Sequence, residues 1–294
     1  MKYRIVHQTT YTYSASVPIC HNIVHLAPRE HSRQTCRFYR LSIQPRPATI
    51  GRQTDFFGNH LTLFSLHDGH QELSLRAISQ VDVHETKPTD PSESAAWETV
   101  RDLVRSDASE DCFAALPFLF ESPHARWSQP IAEYAQQSFP PGRPILSAVQ
   151  ELTERIHTDF RYDPKATRVT TTVDEVFQLR RGVCQDFAQL EVACLRSVGL
   201  PARYVSGYLR TLPPPGKPRL VGADASHAWV GVFAGELGWV DFDPTNRTRT
   251  SSNHITLAWG RDYADVSPIR GVFMGGGTHT MTVSVDVVPL DEVS

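Results

Sequence analysis

The chain has 294 residues, 21% charged and 40% hydrophobic, an ordinary globular composition with length for one large or two modest domains. A net charge of -3 with 29 dispersed basic residues gives no electrostatic footing for nucleic acid or an anionic membrane, so neither is expected as a partner. The start, Met1-Lys2-Tyr3-Arg4-Ile5-Val6-His7, lacks an apolar signal core, no stretch nears ~18 uninterrupted apolar residues, and the five cysteines form no CxxC, so a reducing, cytoplasmic setting is expected.

Residues 1–87 read as an antiparallel β domain. Runs at 3–13, 36–43, 60–66 and 72–83 are rich in β-branched and aromatic residues, with Phe57-Gly58-Asn59 and His67-Asp68-Gly69 as turns. Lys87-Pro88-Thr89-Asp90-Pro91 reads as a linker, because two prolines deter both helix and strand. Residues 88–294 then form a second domain with a helical lead-in at 92–105, 130–137 and 144–157. From Gly182 a helix is predicted with Phe187, Leu190, Cys194 and Val198 on one apolar stripe, stopped by Gly199-Leu200-Pro201. A strand at 202–209 follows, then a surface loop at Pro213-Pro214-Pro215-Gly216. A hairpin of 227–233 and 238–242 turns at Ala234-Gly235-Glu236, and 281–288 alternates as a C-terminal strand extension.

Cys184 stands at the start of the predicted helix, in Arg181-Gly182-Val183-Cys184-Gln185-Asp186. A helix N-terminus carries partial positive charge and free N–H groups, which favour a thiolate and suit an oxyanion formed in acyl transfer. Gly182 is expected to let substrate approach the backbone, and Cys194 to be a core thiol. His227 opens one hairpin strand, and Asp241 and Asp243 lie on the other. A hairpin centred on Gly235 sets His227 directly opposite Asp243, and a register change of two keeps both on one face. That face shows His227, Trp229, Trp239, Asp241 and Asp243. The other shows Ala228, Val230, Val232, Val240 and Phe242, which belong to a core. A base oriented by an acid beside a thiol is the arrangement of an activated nucleophile. Asp241 and Asp224 are rival partners for the imidazole. Tyr162 is read as a packing aromatic, with oxyanion donor as the alternative. The thirteen histidines show no metal-ligand spacing, so no metal and no cofactor are expected.

These residues resemble bacterial transglutaminase-like proteins. The segment Arg180-Arg181-Gly182-Val183-Cys184-Gln185-Asp186-Phe187-Ala188 is similar to their nucleophile motif. His227-Ala228-Trp229-Val230 and Trp239-Val240-Asp241-Phe242-Asp243-Pro244-Thr245-Asn246 are similar to their histidine and aspartate motifs. The segments 195–208 and 260–268 and the N-terminal β region resemble the same family. The resemblance implies an α+β fold, with a papain-like core whose Cys helix packs on an antiparallel sheet. It also implies Cys184 as nucleophile, His227 as base and Asp243 as orienting acid. The expected activity is thiol-dependent acyl transfer on an amide of a peptide or protein, through a thioester. Hydrolysis is favoured because no acidic calcium loop of the animal cross-linking enzymes is present. The alternatives are a protein-glutamine cross-linking enzyme and a non-catalytic binding module that keeps the fold.

Overall fold

The computed structural model describes residues 1–85, 89–211 and 225–290. Lys87 and Pro88 of the expected linker, the Pro213–Gly216 loop and Asp224 lie outside the described residues.

Six strands come first: β1 (Lys2–Val17), β2 (Ile19–Val24), β3 (Gln34–Gln44), β4 (Thr49–Thr54), β5 (His60–Leu66) and β6 (His70–Val83). The helical lead-in is α1 (Trp97–Ser106), α2 (Glu110–Ala115), α3 (Gln129–Gln136) and α4 (Ile145–Asp159). Then come β7 (Arg161–Tyr162), α5 (Val173–Leu179), β8 (Arg181–Gly182), α6 (Cys184–Ser197), β9 (Ala202–Leu209), β10 (Ala225–Phe233), β11 (Trp239–Asp243), β12 (Thr248–Arg249) and β13 (His254–Gly260). The chain closes with α7 (Tyr263–Val266), β14 (Ile269–Met274) and β15 (His279–Pro289). The architecture is α+β, with antiparallel main sheets.

Two four-stranded sheets, ordered β15-β1-β6-β3 and β14-β2-β5-β4, bury their apolar faces in one core. Alternation drives this: along β1, Tyr3, Ile5, His7 and Thr9 point inward while the residues between them are more exposed. The first sheet needs β15 and the second needs β14, which pair antiparallel with β1 and β2. β15, expected to extend the second domain, therefore completes the first, together with β14, which was not expected. The strands pair with edges left open by β1 and β2, and Val285 and Val287 of β15 enter the N-terminal core.

A five-stranded sheet, β12-β11-β10-β9-β13, carries the second core with α4 and α6. Ala228, Val230, Val232 and Phe242 join it, as the alternation along the hairpin requires, and Val240 packs against it. Helix α6 departs from the expected single stripe: every residue from Asp186 to Arg196 is buried. It is enclosed because the sheet covers one side and α3, α4 and α5 cover others. Its polar members are held individually. The Arg196 guanidinium donates to the carbonyls of Phe118, Ala202 and Arg261 and to the Ser122 hydroxyl. Glu191 accepts from Thr153 at 2.6 Å. Gly199, at φ +83°, ends the helix as predicted, with its N–H bonded to the Arg196 carbonyl.

Candidate active site

Cys184 is the first residue of α6. Val183 precedes it in extended conformation, and Asp186 reaches back to accept the Val183 N–H at 2.8 Å and the Thr167 hydroxyl at 2.6 Å. Gly182 is needed for that carboxylate: a Cβ there would stand 2.6 Å from Asp186 Oδ2. The glycine expected to admit substrate instead admits the side chain that fixes the helix start. The first intrahelical bond runs from Phe187 N–H to the Val183 carbonyl, so the amides of Cys184 and Gln185 belong to the turn that no intrahelical carbonyl reaches. Cys184 is half-buried. It shares a cleft of about 220 Å³ with His227, lined also by Thr9 and Tyr11 of β1 and Met281 and Val283 of β15.

The hairpin register differs by two from the expected one: Val230 faces Phe242, Gly231 faces Asp241 and Val232 faces Val240. The 3₁₀ turn Gly235–Leu237 is responsible, because it moves the hairpin centre towards β11. Continued outward, this register sets Asp243 opposite Trp229. His227 therefore meets Asp243 diagonally, Nε2 to Oδ2 at 2.7 Å. A shift of two preserves the face, so the pair survives a register in which the direct-opposition argument does not hold.

Asp243 is fully buried and collects five donors. Oδ1 accepts the N–H groups of Thr245 (2.9 Å) and Asn246 (3.1 Å). Oδ2 accepts from His227, from Asn246 Nδ2 at 2.7 Å and from His254 Nε2 at 3.1 Å. Burial alone would raise this carboxyl, but the bonds from His227, His254 and Asn246 hold it far below the usual carboxylate range. Burial likewise opposes charge on His227. The hydrogen bonds and charges of Asp243 and Cys184 outweigh it, and the imidazole is pushed up to about 10. With Nε2 engaged by Asp243, Nδ1 is the nitrogen left for the hydrogen bond with Cys184.

His254 was missed by sequence reasoning. It opens β13, a strand not predicted at all, and a lone histidine there carries no motif. Asn246 stood in the quoted aspartate motif without a role. His254 Nδ1 accepts the Ser251 N–H at 3.2 Å, which puts the ring proton on Nε2, facing Asp243. His227, Asp243 and His254 bring ligand-type atoms within 4.8 Å of one another. This is hydrogen bonding rather than a cation cage: the Asp243 carboxylate is already surrounded by N–H groups that point at it.

Asp241 does not touch the imidazole. It accepts the Trp229 indole N–H at 3.1 Å and lies 3.5 Å from Arg203 Nη2. Trp229 is buried, while Trp239 lines a separate cavity. Tyr162 is 52% exposed and packs edge-on against buried Phe187, with ring centres 6.5 Å apart. Its hydroxyl pKa is raised by burial and by the charge of Cys184, which marks it as a neighbour of the sulfur.

Residues 3–82 match the model of the bacterial transglutaminase-like N-terminal region, and residues 132–244 that of the transglutaminase-like superfamily. An uncharacterized protein of Mycobacterium tuberculosis is 40% identical over 300 residues, covering 99% of this chain and 93% of that one. A protein-glutamine gamma-glutamyltransferase of Pseudomonas aeruginosa is 39% identical over 92 residues, which is 30% of this chain and 14% of that one. Among solved structures, a candidate cysteine protease from Cytophaga hutchinsonii superposes with a TM-score of 0.76 at 23% identity, covering 99% of this chain and 91% of that one. That likeness speaks to the fold.

Proposed function

Because the chain belongs to the transglutaminase-like superfamily, we propose that it is a thiol acyl-transfer enzyme that cleaves peptide or protein amide bonds through a thioester on Cys184. The observation that carries this reading is His227 held between Cys184 and Asp243, with its charged form favoured up to about pH 10. An imidazolium beside a sulfur favours the thiolate, the nucleophilic form.

The steps follow from these positions. The Cys184 sulfur attacks the amide carbonyl carbon, and the C=O π electrons move onto oxygen. The first-turn N–H groups of α6 receive that oxyanion. Collapse breaks the C–N bond, and the leaving amine takes the proton of His227. Neutral His227 then draws a proton from water, whose oxygen attacks the thioester carbonyl. The second collapse breaks the C–S bond, releases the acid and restores the thiolate–imidazolium pair. Asp243 stays ionised and orients the ring throughout.

Water is the favoured acceptor, because Cys184 is only half-buried in its cleft and nothing need be bound for water to reach the acyl carbon. The second reading, transfer to an amine, draws on the resemblance over 92 residues to the Pseudomonas protein. Both pass through the same thioester. A library of peptide amides incubated with and without a primary amine, read by mass spectrometry, separates them. Carboxylic products in both arms support hydrolysis, amine adducts that displace the acid support transfer, and an unmodified library from wild type sinks both.

A further inference from the structure

A cavity of about 820 Å³ lies apart from Cys184 and His227, where the N-terminal unit meets α2 and the ends of β9, β11 and β13. Its charged lining is unbalanced. Arg29, Arg33 and Arg203 stand around one carboxylate, Asp241. His31 adds no charge, because burial pushes it down to about 4. Asp55 also faces Arg29, but its oxygens are occupied by the N–H groups of Phe57 and Asn59 and by the Asn59 amide.

The guanidiniums are fixed in place yet incompletely bonded. Arg29 and Arg203 both stack on Trp259, at 3.6 and 3.8 Å from its ring centre, and Arg203 also lies 4.4 Å from Trp239. Arg33 is anchored to Thr250 through Nη1 and Nη2. The Nε atoms of all three arginines are buried without a hydrogen-bond partner among the described residues, and so is Asp241 Oδ1. Arg203 is only 7% exposed, and its contact with Asp241 is long at 3.5 Å. Arg29 also donates to Asn59 Oδ1 at 2.8 Å, yet three oriented, incompletely bonded guanidiniums in excess over one carboxylate make a recess suited to an anion. The mouth has the opposite character. Phe56, Phe113 and Phe120 leave 82%, 72% and 66% of their surface to solvent around it.

We propose that this cavity binds a small amphipathic carboxylate, with its head against Arg203, Arg29 and Arg33 and its apolar body under Phe56, Phe113 and Phe120. The planar guanidinium fork matches a carboxylate. Asp241 on the same floor disfavours a dianion such as phosphate, and the aromatic rim favours an apolar body over a bare ion.

The test uses the full chain carrying Cys184→Ala, so that turnover does not intervene and failure of the site is separable from failure of the proposed reaction. Calorimetric titration with 2-naphthoate and decanoate, followed also by tryptophan fluorescence from Trp239 and Trp259, should give saturable binding below about 1 mM. The neutral 2-naphthamide and inorganic phosphate should bind at least roughly tenfold more weakly. Arg203→Met removes the central donor but is buried and endangers the fold. Arg33→Gln, on a half-exposed residue, should weaken naphthoate roughly tenfold, and Phe113→Ser roughly threefold, each with an unchanged melting curve. Three results overturn the proposal: no saturable binding of either carboxylate, naphthamide or phosphate binding as tightly as naphthoate, or Arg33→Gln and Phe113→Ser without effect on affinity.

Discussion

Two aspartates two positions apart do different work, and the difference is in what each accepts. Asp243 receives five donors, among them His227; Asp241 receives the Trp229 indole and borders Arg203. Cys184→Ala should bring amidase or transfer activity to background, and Asp243→Asn should lower kcat/KM by about 10³-fold through a misoriented imidazole. Asp241→Asn should cost far less; an Asp241→Asn enzyme more impaired than Asp243→Asn, both folded, would reassign the acid. His254→Ala should cost about tenfold, the worth of one hydrogen bond to a charged group. The pH profile follows from the shifts. His227 rises from 6.5 to about 10, so its contribution to stability is complete below pH 6.5 and lost as pH climbs through 10. Asp243 is depressed from 3.8, so its contribution is present above that value and lost only in stronger acid. The alkaline limb of kcat/KM should accordingly fall near pH 10; a limb near 6.5 would show an unperturbed histidine. All three expected site residues, Cys184, His227 and Asp243, meet. The pairing was legible because strand parity survives a register error of two. His254 was not, because its link to Asp243 depends on a neighbouring strand brought in by sheet order.

At the scale of elements, helix α6 sets two thiols in opposite surroundings. Cys184 is half-buried at its start, whereas Cys194 is fully enclosed and its thiol is pushed far up by burial and by Glu191. Iodoacetamide on the native protein should label Cys184 first, then half-buried Cys36, with Cys20, Cys112 and Cys194 reached only on unfolding; peptide mass mapping over time reads the order. Labelling led by Cys194 would contradict the placement. In β9, Gly207 has no room for a side chain: a Cβ would stand 2.2 Å from the Ile255 carbonyl oxygen and 2.4 Å from the Trp229 ring. Gly207→Ala should therefore cost about 1–3 kcal/mol in chemical denaturation, since a backbone atom must move. Helices α3 and α4 fall close to their predicted spans, because proline starts and apolar periodicity are local signals, whereas α1 begins five residues after the predicted start at Ser92. Strands β2, β4 and β13 were not legible. β4 is exposed along its whole length and shows no alternation, and β13 is almost wholly buried, so period-two patterning fails at both extremes.

For the whole molecule, two cores meet at the cleft: β1 and β15 belong to the first and line it together with Cys184, which packs against the second. Removal of residues 268–294 would strip the partner from β1 and from β2 at once, leaving two bare sheet edges. Such a chain should be poorly soluble and lose cooperative melting; a soluble, cooperatively melting 1–267 chain would contradict the role given to β14 and β15. The two ends of the described chain meet on neighbouring strands, with the Leu290 N–H bonded to the Lys2 carbonyl at 2.9 Å. A ribosome, however, delivers Leu290 long after Lys2. Cys184, His227 and Asp243 all emerge before β15, and at ordinary elongation rates the interval from Asp243 to the end of β15 lasts roughly two to ten seconds. During it, the nascent chain holds Cys184 without Met281 and Val283, two of the residues that line its cleft. The cleft around Cys184 is thus complete only once β15 has been added beside β1.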